Sequence, residues 1–274
     1  MRIDSHQHFW KYDPAQYGWI DESKRVIRRD FLPEHLAEEI TRAGIGGTIA
    51  VQAGGAGETE WLLGLAKEWD FIRGVVGWGP LIDPHVEDTI ERLATNPKLR
   101  GLRHVLQDEP DPNYMLREDF NAGIGKLSAF GLAYDILIFE RHLPQTIEFV
   151  DRHPDQVFVL DHVAKPRIRA GEISPWRENI RELAKRPNVY CKISGMVTEA
   201  DWTAWTPDQM KPYIHVVLEA FGANRLMFGS DWPVCLVAST YPKWVILMEE
   251  ALQELSIAEQ ERIWAGTAVE AYGL

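Results

Sequence analysis

Two histidines near the start of the chain, separated by one residue, are the side chains best suited to bind a metal ion. His6 and His8 lie within residues 3–9, a short and partly apolar segment that we interpret as a buried strand. Side chains two residues apart lie on the same face of a strand, so Asp4, His6 and His8 are expected to point the same way. Imidazole is a common ligand of Zn²⁺. Taken alone, the pair fits two hydrogen-bonded core histidines equally well.

Further polar side chains fall near the ends of five other predicted strands. They are Gln52, then Arg103 and His104, then Asp161, His162 and Lys165, then Lys192 and Ser194, and finally Ser230, Asp231 and Trp232. Each has an ordinary structural explanation: Asp231 could cap a turn, and His162 could be a satisfied core histidine. Their recurrence at the same ends of six strands favours one shared site.

The elements that would position these residues alternate regularly along the chain. Strands are predicted at residues 3–9, 47–53, 72–78, 100–106, 132–138, 157–162, 189–194 and 226–231. Most are apolar on both faces, which is typical of a parallel sheet covered by helices. We therefore predict an α/β fold, a (β/α)8 TIM barrel, with residues 1–274 forming a single domain. The alternative is an open doubly wound sheet, but no glycine-rich phosphate loop follows the first strand.

Helices are predicted between these strands. They cover residues 33–43, 58–69, 83–95, 118–130, 143–152, 174–186 and 206–221, then a helix from 241 and a last helix beginning with the capping box Ser256 to Glu259. The irregular segment 11–30 follows the first strand and is expected to form a wall or lid of the site. A glycine-rich turn at 54–57 follows the second strand. In a barrel of this type the active site lies at the carboxyl ends of the strands, where the polar residues fall.

Composition narrows the class of partner. The formal net charge of −12 argues against nucleic acid and anionic membranes as partners. No basic segment followed by an apolar stretch marks a signal peptide, and no apolar run is long enough to span a bilayer. Cys191 and Cys235 are not spaced as a redox pair or a zinc knuckle, so we expect a cytoplasmic protein. The sequence leaves the oligomeric state open, with a homo-oligomer as one alternative.

Five motifs together resemble the amidohydrolase superfamily, and more narrowly its amidohydrolase-2 branch of sugar lactonases, the L-fucono-1,5-lactonase and L-rhamnono-1,4-lactonase group. They are DSHQHFW at 4–10, GLRHVLQDEP at 101–110, LDHVAKP at 160–166, VYCKISG at 189–195 and FGSDWPV at 228–234. The resemblance implies a (β/α)8 barrel that hydrolyses an aldonolactone to its sugar acid, with Zn²⁺ as the expected metal. It implies His6 and His8 as the first-strand metal pair, His162 as the mid-barrel histidine and Asp231 as the last-strand acid.

Two segments depart from the pattern of that branch. Residues 266–268 and 271–274 replace the usual Gly-X-Asn-Ala and Phe-Tyr-Gly-Leu, which we expect to affect packing of the final helix and not the chemistry. The turn at 54–57 offers no long side chains, which leaves the substrate preference open.

We therefore expect metal-assisted hydrolysis of a sugar lactone such as L-fuconolactone. Asp231, His162 and His104 are the expected catalytic residues, and Asp231 would move a proton between the attacking water and the leaving hydroxyl. The expected metal ligands are His6, His8, His162 and Asp231. Substrate-binding residues are expected to be Arg103, Lys192, Gln52 and Trp232, through charge, hydrogen bonds or stacking on the sugar.

Two rival functions remain open from the sequence. One is a metal-independent lactonase or decarboxylase of the same superfamily that acts on an acidic substrate, which would require more than one basic residue facing the pocket. The other is a barrel that binds sugar acids without turnover. The combination of His6, His8 and Asp231 argues against the second, because binding alone does not require groups that activate water.

Overall fold

Eight parallel strands form one sheet, in which neighbouring strands are consecutive in the chain. A computed structural model describes residues 1–55 and 57–274; Ala56, in the predicted glycine-rich turn, lies outside the described residues. The strands are β1 (Arg2–Gln7), β2 (Ile45–Val51), β3 (Ile72–Gly77), β4 (Leu99–His104), β5 (Ala133–Ile136), β6 (Phe158–Leu160), β7 (Val189–Ile193) and β8 (Leu226–Phe228).

The last strand returns to the first and closes the barrel. The His8 N–H donates to the Trp232 carbonyl at 2.7 Å, and the Asp231 N–H donates to the His6 carbonyl at 2.8 Å. The predicted (β/α)8 barrel is therefore confirmed, and the alternative of an open doubly wound sheet is wrong. These two hydrogen bonds also bring the predicted metal ligands of the first and last strands to one place.

Helices surround the barrel. They are α1 (Pro33–Arg42), α2 (Glu58–Glu68), α3 (Val86–Ala94), α4 (Glu118–Leu127), α5 (Leu143–Asp151), α6 (Trp176–Leu183), α7 (Pro207–Phe221), α8 (Tyr241–Leu252), α9 (Ile257–Glu261) and α10 (Thr267–Tyr272). Proline occupies the first turn of α1, α7 and α8, where its missing N–H has no helical partner to lose. The predicted capping box forms at α9, where Ser256 and Glu259 each bind the other's backbone N–H.

The interior of the barrel is filled by small and branched apolar side chains. Ile3, Ile49, Val76 and Met227 are buried there, and α10 packs against them through Ala268, Ala271 and Tyr272. The chain end beyond α10 lies near Arg100 at the start of β4, so α10 covers the amino-terminal end of the barrel. The opposite end is left for the polar residues.

Several strands end earlier than the sequence predicts, because the backbone leaves the sheet at the polar residues. His8, Gln52, His162 and Asp231 all lie just beyond a strand. His162 and Asp231 have φ values of 53° and 57°, in the left-handed region that residues other than glycine seldom adopt. Within the described residues, no helix has both the length and the apolar character needed to cross a membrane.

Candidate active site

Three predicted metal ligands converge where β1 and β8 end. The Nε2 atoms of His6 and His8 lie 3.2 Å apart. Oδ1 of Asp231 lies 3.3 Å from Nε2 of His8 and 3.8 Å from Nε2 of His6. All three side chains are buried. The structure therefore brings together residues that are more than 220 positions apart in the sequence.

Hydrogen bonds on the far side of each ring orient these nitrogens. Nδ1 of His8 lies 2.6 Å from the Val51 carbonyl oxygen, which can only accept, so Nδ1 carries the proton. Nδ1 of His6 lies 3.2 Å from Oδ1 of Asp161, a carboxylate that accepts in the same way. When Nδ1 carries the proton in both rings, the two Nε2 lone pairs are directed at the same point. Such an outer hydrogen bond is usual for histidines that bind metal.

His162 completes the group from β6. Its Nδ1 atom lies 2.8 Å from the Ser194 hydroxyl, and its Nε2 atom lies 3.9 Å from Oδ1 of Asp231. The left-handed turn from His162 to Lys165 directs this ring towards β1. Gly195 leaves the necessary space, because a Cβ there would lie 2.5 Å from Nδ1 of His162.

The donor set fits a divalent metal such as Zn²⁺. Ligand atoms each about 2.0–2.2 Å from a tetrahedral ion lie about 3.3–3.6 Å from one another, close to the spacings of His6, His8 and Asp231. Burial lowers the pKa of His162 to about 4 and that of His6 well below its usual value, so both rings are neutral near pH 7. Burial alone would raise the pKa of Asp231, but the neighbouring His162, His8 and His6 lower it, which keeps the carboxylate ionised.

Asp161, which was expected at the shared strand ends but was given no role, connects several members of the site. Its Oδ2 atom accepts from Nη1 of Arg103 at 3.0 Å, while Oδ1 faces His6. Although burial alone would raise its pKa, Lys192, His6 and Arg103 hold the pKa of Asp161 well below the usual value. Arg103 also donates to the Gln52 carbonyl. The signal for Asp161 was its place in the LDHVAKP motif, directly before His162.

A cavity of about 250 Å³ opens above these ligands. His8, Asp231 and Arg103 reach it, and Lys165 and Trp19 form parts of its wall. Trp19 belongs to the segment 11–30 and donates its indole N–H to the Ala53 carbonyl at 3.2 Å, so this segment forms a wall of the cavity. Among the described residues, Lys165 has no ion-pair partner within 4.0 Å, and its ammonium lies 5.4 Å from the centre of the Phe139 ring.

A second cavity, of about 350 Å³, adjoins the first and shares Val105 and Asp108 with it. Gln52, Trp78, His104 and Glu109 line it. The Oε1 atom of Gln52 is buried and has no hydrogen-bond partner among the described residues. A buried amide oxygen of this kind is available to a ligand hydroxyl.

His104 lies in this second cavity, apart from the metal ligands. Its Nε2 atom lies 2.6 Å from Oε1 of Glu109, and its ring stacks on Tyr114 at 5.1 Å with an interplanar angle of 3°. Arg103 and His104 alternate on β4, so only Arg103 points at His6. The structure therefore gives no support to the catalytic role predicted for His104.

Three other side chains lie away from the position that was predicted for them. Lys192 is fully buried below His6, so the predicted contact with substrate is replaced by ion pairs to Asp135 at 2.5 Å and to Asp161 at 3.0 Å. Trp232 packs edge-on against Phe9 and Phe31 and is not among the described residues that line either cavity.

Asp4 is the third. It was expected beside His6 and His8, but its carboxylate instead accepts from the Ser230 N–H at 2.8 Å and from the Tyr241 hydroxyl of α8 at 3.1 Å. An irregularity in the β1–β2 pairing between Asp4 and Gln7 breaks the regular alternation of side chains at this point.

Comparison with known families gives the assignment. The model of the family described as amidohydrolase matches residues 3–274. The chain belongs to the amidohydrolase family. Within this family, the chain is 43% identical to an L-fucono-1,5-lactonase of Burkholderia multivorans, over 100% of this chain and 96% of that protein. It is 37% identical to an L-fucono-1,5-lactonase of Burkholderia ambifaria, over 99% of this chain and 95% of that protein.

A solved amidohydrolase structure shows the same architecture. A crystal structure from Burkholderia multivorans with bound zinc superposes with a TM-score of 0.96 and 44% identity, covering 100% of this chain and 99% of that one. The predicted family and the predicted class of enzyme, a hydrolase of cyclic esters, are therefore confirmed.

Proposed function

We propose that this amidohydrolase opens the ring ester of a sugar lactone of the L-fucono-1,5-lactone type, using one divalent metal ion, which we expect to be Zn²⁺. His6, His8, His162 and Asp231 would hold the ion. The observation that supports this most directly is the convergence of lone-pair nitrogens and a carboxylate oxygen at the floor of a cavity. The relatives named as L-fucono-1,5-lactonases supply the substrate class.

The metal, when bound, would lower the pKa of water and polarise the lactone carbonyl. Asp231 has its own task, because it is the ionised carboxylate that reaches the cavity beside the histidines. It accepts the proton that the attacking water gives up as the new bond to the carbonyl carbon forms. It then donates that proton to the ring oxygen as the carbon–oxygen bond of the ester breaks, so the products are one hydroxyl and one carboxylic acid. The acid releases its remaining proton to solvent near pH 7 to become a carboxylate.

Two cations reach the cavity and serve different purposes. Arg103 is held by Asp161 and by the Gln52 carbonyl, so its position is fixed and it can stabilise the charge that develops on the carbonyl oxygen. Lys165 has no ion-pair partner within 4.0 Å in the described part of the chain. We propose that Lys165 binds the carboxylate of the product, which forms when the ring opens.

The charges around the two cavities favour a neutral polyol over an acidic substrate. Asp108 and Glu109 line the cavity wall next to Gln52, and carboxylate and amide oxygens accept hydrogen bonds from hydroxyl groups. Of the two cations, Arg103 is neutralised by Asp161. A substrate with more than one carboxylate would therefore meet repulsion on this side. Trp19 and Trp78 supply flat surfaces for the apolar faces of a sugar ring.

Ring opening by purified protein tests the proposal. Proton release at constant pH is followed with a 1,5-sugar lactone, a 1,4-sugar lactone and an aromatic dicarboxylate lactone, each with metal-loaded and metal-stripped protein. We expect turnover of a sugar lactone by the loaded protein only. Full activity after stripping would favour the metal-independent rival, and tight binding of the sugar acid without turnover of any lactone would favour the binding protein.

A further inference from the structure

A sealed cluster of charged residues lies directly beneath His6. It consists of Lys192, Asp135, Asp161 and Tyr272, which we call the lower cluster. The first three side chains are fully buried, and Tyr272 is 2% exposed. Tyr272 belongs to α10, the final helix, where the sequence predicted only a packing role. Its hydroxyl instead lies 2.9 Å from both carboxylate oxygens of Asp135.

The lower cluster reaches the metal site through Lys192. The Nζ atom of Lys192 lies 2.5 Å from Oδ2 of Asp135, 3.0 Å from Oδ1 of Asp161 and 3.2 Å from Nδ1 of His6. The Tyr272 ring lies against the same ammonium, 5.4 Å from ring centre to Nζ. One lysine thus contacts both a carboxylate tied to the final helix and the ring of a candidate metal ligand.

These distances create a competition at Nδ1 of His6. A neutral imidazole carries one proton, on either Nδ1 or Nε2. If Nδ1 donates to Asp161, Nε2 has its lone pair free for a metal. If Nδ1 accepts from Lys192, the proton moves to Nε2, and that nitrogen can no longer bind a metal. The carboxylate of Asp161 and the ammonium of Lys192 are both 3.2 Å from Nδ1, so distance to His6 alone does not decide the outcome.

We propose that Asp135 and Tyr272 are positioning residues that fix the metal-binding tautomer of His6 by keeping the protons of Lys192 engaged away from Nδ1. The shortest contact of Lys192 is with Asp135, whose two oxygens are in turn held by the Tyr272 hydroxyl. Nη1 of Arg103, a donor, lies 3.5 Å from Nε2 of His6, which agrees with an unprotonated Nε2. The inference rests on the proposed metal site, but it concerns this chain's own hydrogen bonds.

Tyr272→Phe is the principal variant, because it removes only the hydroxyl and keeps the ring over Lys192. Tyr190→Phe is the matched control. The Tyr190 hydroxyl donates to Glu270, also on α10, at 2.8 Å, so the control removes a tyrosine–carboxylate hydrogen bond to the same helix outside the lower cluster. Asp135→Asn is the second variant, because its amide keeps the shape of the carboxylate but cannot neutralise Lys192.

Two measurements on each protein need no substrate. The first is the Zn²⁺ dissociation constant, by competition with a chromophoric chelator. The second is the tautomer of His6 in metal-free protein, from long-range ¹H–¹⁵N correlation spectra assigned with His6→Gln. We expect Tyr272→Phe to weaken Zn²⁺ binding about tenfold, and Asp135→Asn by about 10- to 100-fold, the range for residues that orient a metal ligand. Both should show a His6 population protonated on Nε2.

The inference would be overturned if Tyr272→Phe and Asp135→Asn both bound Zn²⁺ within twofold of the Tyr190→Phe control and both showed the same His6 tautomer as that control. If Tyr272→Phe fails to fold, Asp135→Asn decides in the same two measurements. Absence of lactone turnover by the wild-type protein would overturn the proposed function instead. It would leave this comparison intact, because neither measurement uses a lactone.

Discussion

Two groups of ionisable side chains lie one above the other in the same barrel, yet their surroundings give them opposite tasks. The upper cluster, His8, His162 and Asp231, borders the cavity. The lower cluster pairs Lys192 with Asp135 and Asp161. None of its residues is among the described residues that line the cavity. Buried aspartates are therefore available for chemistry in the upper cluster and serve to hold the structure in the lower one.

The difference follows from what each layer leaves unpaired. In the upper cluster, Nε2 of His8 lies 3.2 Å from Nε2 of His6 and 3.3 Å from the Asp231 carboxylate, an arrangement that a metal ion would stabilise. In the lower cluster each buried carboxylate has a cation or a hydroxyl within hydrogen-bond distance. Burial of charge is tolerated there because the partners are complete. His6 belongs to both layers, with one ring nitrogen facing each.

Asp231→Asn should break the upper cluster with the largest effect. The amide keeps the shape of the side chain but cannot accept the proton of water, so we expect kcat to fall by about 10²- to 10⁴-fold. Because no cation is left unpaired, the free energy of unfolding should change by less than about 1 kcal/mol. Steady-state rates and urea unfolding on one preparation check both. Equal rates for wild type and variant would remove Asp231 from the mechanism.

Lys192→Met should show the reverse pattern in the lower cluster. Asp135 and Asp161 would lose a buried cation, so we expect the free energy of unfolding to fall by about 3–5 kcal/mol. The matched control is Lys126→Met, which removes an exposed pair with Glu87 and should cost about 0–1 kcal/mol. Urea unfolding compares the two variants. A loss for Lys192→Met no larger than that of the control would show that the lower cluster does not hold the structure.

Lys165→Met tests whether the unpaired cation of the cavity recognises the product. A hydrogen bond to a charged group contributes about 1.5–3 kcal/mol, so the inhibition constant of the sugar acid should rise about tenfold or more. The KM for the neutral lactone should change by less than about threefold, because the lactone carries no charge for Lys165 to bind. A parallel change in both constants would indicate a general disturbance of the cavity and contradict the assignment.

Glu58 provides a contrast to the paired carboxylates of the lower cluster. It is also buried, but no cation lies within 4.0 Å of it among the described residues. Burial raises its pKa to about 7, although the backbone N–H groups of Ala53 and Gly54 oppose the shift. The folded chain therefore binds this proton more tightly than the unfolded chain, whose glutamate titrates near 4.5. The stabilising contribution is fully present below about pH 4.5 and is lost as the pH rises to about 7.

Glu58→Gln should remove that dependence. Over the interval from pH 4.5 to 7 the wild-type protein should lose up to about 3 kcal/mol of unfolding free energy relative to the variant. Unfolding curves at five pH values test this, with Glu60→Gln, an exposed residue of the same helix, as the control. Parallel pH profiles for wild type and Glu58→Gln would contradict it.

The sequence predicted the barrel and the residues of the upper cluster because both depend on patterns that are local in the chain. Apolar segments define the strands, and polar residues mark their carboxyl ends. The vertical position of a side chain is harder to predict. Lys192 and Ser194 share a face of β7 and its extension, but two residues along a strand correspond to about 6.6 Å, so Ser194 reaches His162 while Lys192 lies a layer below.

Long-range partners were invisible for a different reason. Tyr272 meets Asp135 across 137 residues, and Tyr241 meets Asp4 across 237, so no local pattern links them. The prediction for Asp4 also failed because a regular strand was assumed where the β1–β2 pairing is irregular. Register irregularities and the packing of a terminal helix depend on the whole fold.

The central claim is that one divalent metal ion, held by the upper cluster and His6, is required to open a sugar lactone. Stepwise addition of Zn²⁺ to metal-free protein, with the rate of L-fucono-1,5-lactone hydrolysis recorded at each step, tests it most directly. We predict no turnover without metal and a linear rise that ends at one ion per chain. Full turnover before any metal is added would contradict the account.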